Sequence, residues 1–336
     1  MTPLENKTPL VSVIMTAYNE ERYIKQAVES ILQQTFTDFE LILINDGSTD
    51  RTDEIIKSFT DGRIRYIHNE KNIRLIACLN IGLELAQGKY IARMDSDDIC
   101  YPNRFKLQVD FLESNPNIGI LGSNLEIFGD SAGRMEYPEK DKDIRLRLLT
   151  TSAFGNNVVM LRSDILKKIK FKFDKEYLHA EDYKAWTELI TYTKGYNFQE
   201  PLVKYRAHTM SVSNKYKHIQ RQTRNRVRAE YVLSCLGIDE TTTEYKIHLK
   251  NIIHNIGIKR ALTYKFIIKL NNQNAFFDEK SFKNTLFTNW YLDSLDALEE
   301  KKLSILYKYL SFLIVDFRYK VIKNYFNLIK HYLKYT

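Results

Sequence analysis

Apolar and polar positions fall in blocks along the first hundred residues. Leu10 to Thr16 is an apolar run of strand length that stops at the polar break Ala17-Tyr18-Asn19. Ile24, Val28, Ile31 and Leu32 then share one helical face. Phe39 to Ile44 is a second apolar run, closed by Asn45-Asp46-Gly47-Ser48-Thr49-Asp50. The pattern predicts a helix over 53–59, a short strand over 64–67, a third helix over 73–86 and a strand over 89–94. Strands apolar on both faces, alternating with amphipathic helices, predict a mostly parallel sheet flanked by helices, an α/β fold. Such sheets bind ligands beyond the carboxyl ends of their strands. Three polar clusters fall there, at 16–20, 45–50 and 95–98.

Farther on, Phe105, Val109 and Leu112 predict a helix over 104–114, followed by strands over 118–121 and 124–128. Gly129-Asp-Ser-Ala-Gly133 reads as a hairpin turn. A helix over 143–149 and a strand over 157–161 follow, and Arg162-Ser163-Asp164 reads as a helix start with capping. Glu181-Asp182 opens a helix on which Trp186 and Leu189 share a face. After residue 215 the chain reads as helical, giving two regions, 1–215 and 216–336. From Leu303 to Tyr332 apolar residues recur every three or four positions, a continuous stripe.

The richest chemistry lies in Gly88-Lys-Tyr-Ile-Ala-Arg-Met-Asp-Ser-Asp-Asp98, where a strand runs into three carboxylates. Like charges this close repel unless a cation or hydrogen-bond donors separate them. Hard oxygen ligands suit Mg²⁺ or Mn²⁺, commonly shared between protein carboxylates and substrate phosphates. The bland alternative is an Asp-rich turn leading into the helix beyond Pro102. No G-x-G-x-x-G follows the first strand and no Walker pattern is present, so dinucleotide and P-loop enzymes are poorly supported.

Charge changes the picture at one end. The formal charge is +8, of which residues 301–336 hold +7 and the rest +1. The neutral body argues against a nucleic-acid groove, and the basic, amphipathic tail fits an anionic membrane surface or a partner helix. Cys78, Cys100 and Cys235 have neither paired nor metal-ligand spacing, which predicts a reducing compartment. No signal-peptide h-region precedes Val11, and no apolar run reaches the ~20 residues of a spanning helix. The expected location is cytoplasmic, or peripheral on the inner face of a cell membrane.

Val11-Ser-Val-Ile-Met-Thr-Ala-Tyr-Asn-Glu20, Ile44-Asn-Asp-Gly-Ser-Thr-Asp50, the Gly88–Asp98 stretch and Glu181-Asp182 together resemble the successive motifs of family 2 glycosyltransferases with the GT-A fold. The resemblance covers roughly residues 9–215. It implies an inverting, metal-dependent transferase that moves a hexosyl or N-acetylhexosaminyl unit from a nucleotide-sugar, most often a UDP-sugar. The acceptor is expected to be a saccharide or lipid-linked saccharide, in the synthesis of surface polysaccharide or glycolipid.

By motif position the resemblance puts Thr16, Tyr18 and Glu20 at the nucleoside, Asp46 at the base, and Asp95 near the ribose or metal. Asp97 of the Asp-x-Asp motif becomes the ligand of Mn²⁺ or Mg²⁺, and Asp98 a residue of the fold. Asp182 becomes the general base, with Glu181 the fallback. The segment Tyr205-Arg206-Ala-His208-Thr-Met-Ser211-Val-Ser213 resembles the family's closing stretch, which makes His208 a further metal contact. Arg206 and Ser211 would then face phosphate. Arg93 is expected to pair with a neighbouring carboxylate rather than to reach the diphosphate. The chain departs from the family at Asn72-Ile73-Arg74, where the third residue is usually glycine. If that backbone needs φ > 0, Arg74 is strained.

Two rivals remain from sequence. A nucleotidyltransferase would carry a glycine-rich, Lys/Arg-bearing loop after the first strand, which Thr16-Ala-Tyr-Asn-Glu20 is not. A non-catalytic sugar-nucleotide-binding scaffold protein would bind donors without turnover.

Overall fold

The apolar runs become the middle of one nine-stranded sheet in the computed structural model, which describes residues 8–208, 217–238, 240–254, 267–272, 277–278, 280–283 and 285. The strands are β1 (Val11–Ala17), β2 (Phe39–Asn45), β3 (Ile64–His68), β4 (Tyr90–Asp95), β5 (Ile99–Cys100), β6 (Ile118–Gly129), β7 (Gly133–Met135), β8 (Met160–Arg162) and β9 (Lys194–Ala207). Their spatial order is β3-β2-β1-β4-β8-β6-β9-β5, with β7 beside β6. β1 pairs in parallel with β2 and β4, and β2 with β3, so these four strands end at one edge. The register sets Thr16 opposite both Ile44 and Asp95, and Ala17 opposite Asn45. All three expected polar clusters therefore emerge side by side.

Helices cover both faces. α1 (Ile24–Leu32) buries Ile24, Ala27, Val28 and Ile31, and α4 (Arg104–Ser114) buries Phe105, Val109 and Leu112. Both join the main core with Val13, Met15, Leu41, Leu43 and Met94. On the opposite side Ile42, Ile44 and Cys78 form a second cluster under α3 (Leu75–Leu85). α2 (Thr52–Lys57), α5 (Asp141–Leu148), α6 (Ser163–Ile169) and α7 (Glu181–Leu189) complete the helices ahead of β9. α7 buries Tyr183, Ala185, Trp186 and Leu189. Trp186 is fully buried, edge-on to Phe154 at 5.9 Å, so it serves the core.

Several predicted elements differ in detail. The stretch expected as two strands is the single strand β6, whose pairing with β9 shifts register near Ile118 and Ser123 and absorbs the irregularity. The strand expected over 157–161 begins later: 156–158 form a 3₁₀ turn and pairing starts at Met160. Ser163 does open α6, yet its hydroxyl donates to the carbonyls of Gly88 and Lys89 instead of capping the helix. Tertiary hydrogen bonds outcompete the local cap there. The hairpin turn at 129–133 forms as predicted, with Ile127 opposite Gly133.

The chain divides into two compact units, one of residues 1–145 and 152–223, the other of 146–151 and 224–336. In the second unit the described residues include helix Thr243–His254. The apolar stripe from Leu303 to Tyr332, the basic tail, Ser211 and Ser213 lie outside the described residues. Among the described residues, no helix is long and apolar enough to cross a membrane. Among the described residues none of the three cysteines is in a disulfide.

Candidate active site

The carboxyl edge of β1, β2 and β4 gathers Thr16, Tyr18, Glu20, Asp46, Asp95, Asp97 and Asp98 within one unit. Two further elements close it. β5 pairs antiparallel with β9, Ile99 opposite Lys204, which brings the end of β9 back to the acidic loop. There His208 Nε2 lies 3.0 Å from Asp97 Oδ2. The two side chains are 14% and 22% exposed, open enough for a ligand to share. The first turn of α7 supplies Glu181 and Asp182.

Each expected residue has a definite place. Thr16 is half-buried opposite Asp95, and Tyr18 is 46% exposed, a ring facing solvent rather than core. Glu20 donates its backbone N–H to Thr52 Oγ1 at 2.7 Å and turns its carboxyl toward the acidic cluster. Burial first, then the charges of Asp97, Asp50 and Asp95, push that carboxyl up to about 8. Burial likewise raises Asp95, opposed by Arg93 and reinforced by Asp97 and Asp182. Arg93 is 6% exposed and approaches Asp95 at 3.5 Å while bonding Asn156, so it pairs with carboxylate as expected.

Asp46 is more occupied than its motif suggests. Its Oδ1 accepts from Asn69 Nδ2 at 3.0 Å and from the Ile73 amide at 2.9 Å, and its Oδ2 accepts from the Arg74 amide at 2.9 Å. The carboxylate thus pins the loop before α3. That loop lies directly on Gly47, where φ is +68° and an added Cβ would come 2.7 Å from the Lys71 carbonyl carbon. Arg74 sits at φ 78°, ψ 155°, a region that favours glycine, so the strain anticipated at this position is present.

Asp98 is fully buried and accepts from the Arg206 amide at 2.7 Å and from Asn157 Nδ2. It ties β9 and the 156–158 turn to the acidic loop. Arg206 donates Nε to the Asp97 carbonyl at 2.7 Å and Nη2 to Gln26 Oε1 at 2.8 Å. Its guanidinium carbon lies 4.5 Å from the Tyr23 ring centroid and 4.4 Å from that of Phe128. Tyr23, Gln26, Phe128, Asn156 and Asn157 were not legible as site residues. The Asn pair beside Gly155, ahead of an apolar run, was the sole hint.

On α7, Glu181 is 6% exposed and Asp182 is half-exposed. Burial, then repulsion from Asp182, raises the Glu181 carboxyl to about 7, with Arg93 opposing. Asp182 Oδ1 accepts from the Tyr183 amide at 2.7 Å, which orients the carboxylate. The more open of the two acids is therefore Asp182. A proton acceptor for an incoming hydroxyl needs that access.

No three His, Cys, Asp or Glu side chains among the described residues form a complete metal cage. The donor set still fits a divalent cation: one carboxylate and one imidazole converge at 3.0 Å, beside Glu20 and Asp95, whose carboxyls are raised by burial and by neighbouring carboxylates. Two protein ligands with the remainder from phosphate and water is the ordinary arrangement for Mg²⁺.

The family model described as "Glycosyl transferase family 2" matches residues 12–178. An uncharacterized glycosyltransferase of Haemophilus influenzae is 35% identical over 317 residues, covering 88% of this chain and 95% of its own. The Escherichia coli protein WfgD, named as a UDP-Glc:alpha-D-GlcNAc-diphosphoundecaprenol beta-1,3-glucosyltransferase, is 32% identical over 216 residues, covering 63% and 83%. Among solved structures, TarS 1–349 of S. aureus in complex with UDP-GlcNAc superposes with a TM-score of 0.56 at 17% identity, covering 82% of this chain and 90% of that 1–349 fragment. That likeness shows the GT-A fold.

Proposed function

The chain belongs to glycosyl transferase family 2 and is a glycosyltransferase, and we propose that it moves a hexosyl or N-acetylhexosaminyl unit from a UDP-sugar to a saccharide hydroxyl with inversion at the anomeric carbon. The observation that carries this reading is the meeting of Asp97 and His208 at 3.0 Å on the edge that also holds Asp95 and the first turn of α7. The bound TarS ligand and the E. coli relative's name both contain a UDP-sugar, which supports that donor.

Asp97 and His208 would hold Mn²⁺ or Mg²⁺, which when bound supplies charge stabilisation to the leaving diphosphate. Thr16, Tyr18, Glu20 and Asp46 would border the nucleoside, and Asp95 would face the ribose or the cation. Asp182 takes the proton of the acceptor hydroxyl as its oxygen forms the new bond to the anomeric carbon. The bond from that carbon to the diphosphate oxygen breaks on the opposite face, and its electron pair leaves with UDP. Glu181, buried and with a raised affinity for its proton, stays behind Asp182 without adding a second full charge at the acceptor.

The E. coli relative's name includes a lipid-linked diphosphate acceptor, which supports an acceptor of that class. Residues 301–336 carry +7 and the apolar stripe, which suits attachment to an anionic inner membrane face. A donor screen reading UDP release with and without Mn²⁺, with an undecaprenyl-diphosphate sugar as acceptor, tests the whole reading. Release of pyrophosphate from UTP and a sugar 1-phosphate, with no UDP released from any UDP-sugar, would mark a nucleotidyltransferase. Tight UDP-sugar binding with no turnover on any acceptor would mark a scaffold protein.

A further inference from the structure

Arg206 lies beside the acidic loop, yet its guanidinium is already engaged on several sides. Nε donates to the Asp97 carbonyl, Nη2 to Gln26, and the rings of Tyr23 and Phe128 lie within 4.5 Å of its central carbon. The Arg206 backbone N–H meanwhile holds Asp98 Oδ1 at 2.7 Å. Gly129 makes room for this: its φ is +97°, and an added Cβ would stand 2.6 Å from the Ala207 carbonyl and 3.4 Å from Arg206 Cγ. Tyr23 in turn packs its ring 5.4 Å from the His208 ring, and His208 Nε2 meets Asp97 Oδ2 at 3.0 Å. Four residues thus form a closed circuit: the Arg206 guanidinium to the Asp97 backbone carbonyl, the Asp97 carboxylate to His208, His208 to Tyr23, and Tyr23 back to Arg206.

We propose that Arg206 is a positioning residue for the metal-binding pair rather than a phosphate contact: with Tyr23 and Gln26 it fixes the backbone of Asp97 and the ring of His208 so that the two donors converge before a cation arrives. The guanidinium suits this task for a geometric reason. It is planar, so it lies against aromatic rings while its edge donates in fixed directions, which an ammonium cannot do. Groups that orient metal ligands without touching the ion are typically worth about 10- to 100-fold in metal affinity. The inference rests on the proposal that Asp97 and His208 hold a divalent cation.

The test is calorimetric titration of Mn²⁺ and UDP into the full-length protein and its Arg206→Lys, Tyr23→Leu, Tyr23→Phe and Gln26→Ala variants, each checked by thermal melt. UDP binding is measured in EDTA and again across a Mn²⁺ series. Arg206→Lys and Tyr23→Leu are expected to weaken the apparent Mn²⁺ affinity about tenfold or more. Their UDP affinity in EDTA should match the unaltered protein, and saturating Mn²⁺ should restore kcat. Tyr23→Phe keeps the ring and should behave normally, and Gln26→Ala, an exposed change, should show a smaller shift in the same direction. Loss of UDP affinity in EDTA for Arg206→Lys, with normal Mn²⁺ affinity in Tyr23→Leu, would overturn the inference in favour of a phosphate contact. Normal Mn²⁺ affinity in both would overturn it as well. If UDP binding by the unaltered protein ignores Mn²⁺, the metal reading itself falls and takes this inference with it.

Discussion

Asp97 Oδ2 and His208 Nε2 stand 3.0 Å apart although 111 residues separate them in the chain. The pairing of β5 with β9 makes that meeting possible, because it folds the end of the last strand onto the acidic loop. An imidazole and a carboxylate so placed are either a hydrogen-bonded pair or two donors to one cation. Burial and mutual repulsion raise the carboxyls of Glu20 and Asp95 beside this pair, a strain that a cation would relieve.

Removing either donor should therefore abolish the metal dependence of nucleotide binding. Asp97→Ala and His208→Ala are expected to bind UDP in Mn²⁺ no better than in EDTA, by calorimetry. Unchanged Mn²⁺ dependence in both would remove this pair as the metal site.

Asp182→Asn keeps the shape of the α7 first turn and removes the proton acceptor. Nucleotide affinity should stay within about twofold while transfer falls by 10²–10⁴, the usual worth of a general base. Glu181→Gln, buried behind it, should cost far less in kcat. Full transfer by Asp182→Asn, with loss in Glu181→Gln, would exchange the two roles.

Metal affinity should climb with pH. Glu20 is raised to about 8 by burial and by neighbouring carboxylates, so the metal-free site holds a proton at neutral pH that a cation must displace. Apparent Mn²⁺ affinity is expected to increase from pH 6 to pH 8.5 and to flatten above. The metal-free fold runs the other way: a folded pKa above the unfolded 4.5 contributes stability below about pH 4.5 that is lost as pH rises through about 8. Melting in EDTA against melting in Mn²⁺ at both ends of this range checks the sign, and Glu20→Gln should reduce both slopes.

Arg74 offers a test of strain. Its φ of 78° with ψ of 155° costs about 1–3 kcal/mol for a side chain other than glycine, less the ~1 kcal/mol that glycine adds to the freedom of the unfolded chain. Arg74→Gly should raise the melting temperature by a few degrees, whereas Gly47→Ala, which drives a methyl into the Lys71 backbone, should lower it sharply. A drop in both would show that the Asp46 hydrogen bonds alone set this loop.

Period and polarity along the chain were enough to place β1, β2 and β4, because runs apolar on both faces have few uses except as buried parallel strands. The same runs located the carboxyl edge, and with it Thr16, Asp46, Asp95 and Asp97, since a strand's last residue fixes where its loop begins. What tertiary structure alone decided is which of these side chains are already occupied. Asp46 accepts three hydrogen bonds from residues 69–74, Asp98 joins β9 to the 156–158 turn, and Arg206 serves Asp97 and two aromatic rings. Such hydrogen bonds depend on strand order and register across 23 to 109 residues, and a local periodicity carries no record of them.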